Sequence, residues 1–157
     1  MNKAFFLILI TLLFVSCVPS YRISHKIYKE AKPSTNKAKA FVINKELKKE
    51  YKILEKSQIY ELVEDDSYQV KIKLDSMKTT LVCGNGMAGS MLTFGLLPSS
   101  LPDEYYYGFQ EIGDENKKFE FNLQVIQSLW LFNMFYPKGF SKQAGKALLA
   151  SYQERNK

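Results

Sequence analysis

The chain is poor in the residues on which most enzyme chemistry depends. It has one histidine, His25, and two cysteines, Cys17 and Cys83, in 157 residues. His25 lies in an irregular stretch near the N-terminus, so Cys83 and the serines farther along have no imidazole base to activate them. A zinc site would need a different ligand set. Asp65-Asp66 and Asp103-Glu104 are carboxylate pairs, but each falls at a turn beside strand signals, where acidic residues serve turns and solubility. The composition therefore predicts a protein that is not an enzyme and carries no cofactor and no metal.

Long apolar runs are also missing. Ala4 to Val15 is nearly unbroken apolar sequence, but twelve residues rise only about 18 Å as a helix, against a hydrocarbon core of about 30 Å. With Lys3 before it and Ser16-Cys17 after it, the segment reads as an export signal rather than a fold element.

Leu13-Phe14-Val15-Ser16-Cys17 resembles the lipobox of bacterial lipoproteins, with a small residue before a cysteine that directly follows the apolar stretch. It departs from the family pattern at Phe14, where Leu, Val or Ile is usual. The resemblance implies that residues 1–16 are removed and that the Cys17 thiol carries a diacylglycerol. Each buried methylene contributes about 0.8 kcal/mol, so two or three acyl chains hold a protein on a membrane effectively for good. In that family an aspartate after the cysteine commonly retains the protein at the inner membrane. Val18 at that position implies an outer-membrane location facing the periplasm, with the cell surface or the inner membrane as the alternatives. With Cys17 acylated, Cys83 has no partner for an internal disulfide. Its apolar surroundings, Thr79 to Cys83, predict a buried and inert thiol.

Charge is unevenly spread. Residues 22–56 hold eleven Lys or Arg against four Glu, residues 57–120 five against eleven acidic, and residues 121–157 five against one. The basic block beside the anchor can lie against anionic headgroups or serve as a solvated face. An acidic middle and an export signal argue against nucleic acid as a partner.

Residues 17–37, interrupted by Pro19 and Pro33, read as a lipidated and flexible basic tether, and residues 38–157 as one β-rich domain. At 46% hydrophobic and 14% aromatic, with eleven Phe and ten Tyr, the chain is too apolar for disorder and favours sheet. Ala40–Ile43, Ile59–Val63 and Leu81–Cys83 read as strands. Tyr68, Val70, Ile72 and Leu74 alternate with Gln69, Lys71 and Lys73, and Phe119, Phe121, Leu123 and Val125 alternate with Glu120, Asn122 and Gln124. The latter run pairs with 105–112 as a hairpin. Residues 46–55 fit a helix by Leu47, Tyr51 and Leu54, or in part a strand. Residues 126–136 are apolar on both sides and so are buried or at an interface. Ser141 is placed to cap a helix running to about Arg155. The sum is a mainly β fold, an antiparallel β-sandwich or partly open barrel with a C-terminal helix.

Gly84-Asn85-Gly86-Met87-Ala88-Gly89 has the glycine spacing of a dinucleotide loop but lacks its strand–helix context, so these glycines read as turn residues. The continuing stretch through Met91 and Phe94 to Pro98 is rich in Met, Leu and Gly and could border a ligand or partner. Met87, Met91, Phe94, Tyr105, Tyr107 and Trp130 are the candidate binding residues. Tyr105-Tyr106-Tyr107 cannot all face one way in a strand, so Tyr106 must oppose its neighbours. The function expected is a membrane-anchored, non-catalytic binding module that docks an envelope protein or polymer. The alternative is a carrier holding an apolar small molecule or lipid within the β domain.

Overall fold

The computed structural model describes residues 19–23, 27–68, 70–81, 90, 92–93, 96–113 and 116–156. Cys17, His25, Cys83, the 84–89 glycine motif with Met87, and Met91 and Phe94 lie outside the described residues.

The longest structure is the hairpin of β6 (Ser99–Ile112) and β7 (Lys117–Leu129), paired antiparallel from Ser99↔Leu129 to Glu111↔Lys117. Its period-two pattern places Tyr105, Tyr107 and Phe109 of β6, and Phe119, Phe121, Leu123 and Val125 of β7, on one buried face. Directly opposed aromatic residues pack across the strands, with Phe109 and Phe119 stacked at 4.9 Å between ring centroids.

The remaining strands extend this hairpin on both sides. On one side β1 (Ser20–Ile23) pairs antiparallel with the end of β7, from Ser20↔Ser128 to Ile23↔Val125. On the other, β4 (Lys71–Leu74) and β5 (Lys78–Leu81) share one edge of β6, against residues 109–112 and 103–106. Beyond β4 lie β2 (Ala38–Val42) and β3 (Tyr60–Val63), giving the order β1-β7-β6-β4-β2-β3. The fold is mainly β, with an open sheet and a C-terminal helix. It is a mixed sheet, because β2 runs parallel to both β3 and β4. Parallel neighbours need a crossover, and α2 (Lys48–Ser57) between β2 and β3 supplies it.

The choice of helix at 46–55 follows from what the segment buries. Glu50, Ile53, Leu54 and Ser57 recur at helical spacing and face inward. The helix ends at Gln58, which takes a left-handed conformation with φ of 57°. The C-terminal helix α3 (Phe140–Arg155) lies beside it. Contact between them is close at Gly145, where a Cβ would come within 2.7 Å of the backbone of Lys56 and Ser57. The expected Ser141 cap is not used. Gly139 occupies the N-cap position and makes no side-chain cap bond. Starting the helix at Phe140 lets that ring pack on Tyr21 and Tyr105, at 5.2 and 4.6 Å between centroids.

The tether reading of residues 17–37 needs correction. Residues 20–23 are a strand of the sheet, and the short helix α1 (Ile27–Glu30) packs against α3. Lys32 is also held, its carbonyl accepting a hydrogen bond from Gln153 Nε2 at 2.7 Å. The cause is long-range: β7 extends past Val125, and its unpaired edge would stay open without β1.

Candidate functional site

Tyr105 and Tyr107 belong to the core and are not ligand-facing residues. The Tyr107 hydroxyl donates to the Glu50 carbonyl at 3.0 Å, and the Tyr105 hydroxyl donates to Asp103 Oδ2 at 3.1 Å. Both phenols are raised above their ordinary pKa, first by burial and then by the nearby Glu50 and Asp103 respectively. Their hydroxyls therefore stay protonated and serve as fixed donors. Tyr106 does oppose them and is 48% exposed on the other face of the sheet.

That outer face forms the first candidate surface. Tyr106 stands between Lys78 of β5 and Asn122 of β7, its register partners on either side. A groove of about 700 Å³ runs beside it, bordered also by Asp75, Lys118 and Glu120. Gly108 permits this shape, since a Cβ there would come within 3.0 Å of Asp75 Oδ2. Lys118 Nζ meets Glu120 Oε1 at 2.7 Å, which raises the lysine and lowers the carboxylate in pKa. Asn122 Nδ2 donates to Glu104 Oε2 at 3.3 Å. An aromatic ring flanked by charged and amide-bearing side chains suits a polar polymer or a protein surface.

The second candidate surface lies at the end of the hairpin where β1 begins. Leu96, Leu97, Trp130, Phe132, Phe135 and Tyr136 are exposed there, at 63%, 55%, 38%, 52%, 63% and 82%. Trp130 Nε1 donates to the Leu96 carbonyl at 3.3 Å, and Trp130 packs on Phe132 at 5.0 Å between centroids. A 3₁₀ turn (Leu131–Met134) presents these rings, tied back to β7 by Asn133 Nδ2 donating to the Ser128 carbonyl at 2.9 Å. The adjoining groove, about 710 Å³, includes Arg22 and Lys138 and no carboxylate among its lining residues. Of the expected binding residues that are described, Trp130 is placed here and Tyr105 and Tyr107 are not. The signal for its neighbours was the two-sided apolarity of 126–136, which allowed either burial or an interface.

The carboxylate pairs read from the sequence line neither groove. Asp103 faces the core and Glu104 the opposite side, so this carboxylate pair shares no cleft. Asp65 Oδ1 accepts the Ser67 N–H at 2.9 Å in a turn, which lowers its pKa. Among the described residues no three His, Cys, Asp or Glu side chains lie close enough to hold a metal ion, and no helix is long and apolar enough to cross a membrane. The space between sheet and helices is filled by Tyr107, Phe109, Ile53, Leu54, Leu123 and Leu148, all almost fully buried. Compared with known proteins, the chain matches no protein-family model and no curated protein sequence.

Proposed function

We propose that this chain is an envelope lipoprotein, anchored on the outer membrane through acylated Cys17, whose domain binds a protein or polymer of the envelope without catalysis. The observation that carries the reading is the one-sided sheet. Helices α2 and α3 cover one face, while the other presents Tyr106 in a groove that holds the Lys118–Glu120 ion pair. Such a surface offers aromatic area and hydrogen-bonding groups. The lipobox-like Leu13 to Cys17 supports the address, and the strand that begins at Ser20 supports a domain held close to its anchor.

A photo-crosslinking residue in place of Tyr106, in intact cells, is expected to capture one specific envelope component. The same residue in place of Lys52, exposed on α2, is expected to capture none. Equal and diffuse labelling from both positions contradicts the reading.

A further inference from the structure

We infer that the aromatic end of the domain, built around Trp130, Phe132, Phe135 and Tyr136, is seated in the interfacial layer of the bilayer to which the chain is anchored. The inference rests on the lipoprotein reading above and adds to it a defined docking face and orientation.

Three observations converge on this end. The first is the path of the chain. Cys17 precedes Ser20 by three residues, and Ser20 is fixed by β1 pairing and by its hydroxyl, which accepts the Lys138 N–H at 3.2 Å. Three residues reach at most about 11 Å, so the acylated sulfur, and the bilayer with it, cannot lie far from this surface. The second is composition. Of the exposed large hydrophobic residues described, all but Ile43 and Tyr106 fall within 92–97 and 130–136. Trp and Tyr settle at the headgroup level, where the ring is apolar and the N–H or O–H stays wet. The third is charge. Arg22 and Lys138 are the charged residues lining the adjoining groove, and each cation near an anionic leaflet contributes on the order of 1 kcal/mol. A protein partner would explain exposed rings equally, but not their position beside the anchor with a wholly basic rim.

The arrangement gives the domain a fixed pose. With this end in the interface, the domain is anchored at two places, the acyl chains and the rings. It cannot then swing freely about Cys17, and the Tyr106 face keeps a constant orientation to the membrane.

Trp130 is the only tryptophan, so its fluorescence reports this face alone. Full-length lipoprotein would be reconstituted into phosphatidylethanolamine–phosphatidylglycerol vesicles, and Trp130 quenching compared between lipid brominated just below the headgroup and water-soluble acrylamide. Flotation of the same vesicles reports the anchor independently. Expected are flotation, a blue-shifted emission, strong quenching by the brominated lipid and weak quenching by acrylamide. The variant carrying Phe132→Ser, Phe135→Ser and Tyr136→Ser should still float but lose most of the brominated-lipid quenching. Protein that floats while Trp130 is quenched only by acrylamide overturns the docking face and leaves the anchor standing. Protein that does not float removes the anchor and this inference with it. Trp130 that becomes shielded only when envelope protein extract is added shows a protein partner on this face and also overturns the proposal.

Discussion

Ser20 and Lys138, 118 residues apart in sequence, hold each other at the start of the sheet. The Lys138 N–H donates to Ser20 Oγ at 3.2 Å, and the next residue, Tyr21, donates its own N–H to the Lys138 carbonyl at 2.9 Å. These two bonds tie the N-terminal strand to the segment that leads into α3. They hold Ser20–Ile23 as an edge strand of the sheet where a loose tether was expected.

Ser20→Ala removes one of the two bonds, at a cost of about 1 kcal/mol. The expected result is faster hydrogen exchange at the Lys138 amide, with the amide of Leu123 in the centre of β7 unchanged. Unaltered exchange at Lys138 would show that the strand is held by its pairing with β7 alone.

Gly145→Ala tests the contact between α2 and α3. Alanine favours a helix by up to about 1 kcal/mol over glycine. Here, however, its Cβ would come within 2.7 Å of backbone atoms of Lys56 and Ser57, which cannot swing aside as a flexible side chain can. Overpacking of this kind costs about 1–3 kcal/mol, so a net fall in the urea midpoint is expected. A midpoint equal to or above the parent's contradicts this packing.

Much of the sheet was legible because its signal is local. Ile72 with Leu74, and Phe119 through Val125, alternate strictly, and the structure buries those residues. The helix at 48–57 was ambiguous because Tyr51–Leu54 fits either period; Glu50 and Ser57 decide it by facing inward at helical spacing. β1 was not legible. Ser20-Tyr21-Arg22-Ile23 is a polar edge strand between a proline and a basic stretch, and its stability comes from pairing with residues more than 100 positions away. The parallel placement of β2 between β3 and β4 is likewise a tertiary choice that no short window records. At the candidate site, strand alternation correctly turned Tyr106 outward. It could not say which side of the sheet the helices cover, so Tyr105 and Tyr107 were read as binding residues when they are core.

The buried tyrosines predict a loss of stability in alkali. Tyr21, Tyr60, Tyr105 and Tyr107 are all raised in pKa, chiefly by burial. After burial come Asp103 for Tyr21 and Tyr105, Glu111 for Tyr60 and Glu50 for Tyr107. In the unfolded chain a phenol ionises near 10, whereas in the fold it holds its proton to higher pH. The contribution is therefore intact below about pH 10 and is lost as pH rises beyond it. Tyr107, 1% exposed, should account for about 1 kcal/mol per pH unit in that range. Urea unfolding at about pH 8 and about pH 11 should show a smaller alkaline loss in Tyr107→Phe than in the parent. An identical loss in both would contradict it.

The central claim is that Cys17 carries the lipid that places this domain at a membrane, and intact-mass analysis of the protein purified from membranes tests it most directly. The account predicts a mature chain beginning at Cys17 with diacylglycerol on its sulfur, and Cys17→Ser protein that is unacylated and released from the membrane by washing. A chain that retains residues 1–16 with a free Cys17 thiol, or acyl label that persists in Cys17→Ser, would contradict it.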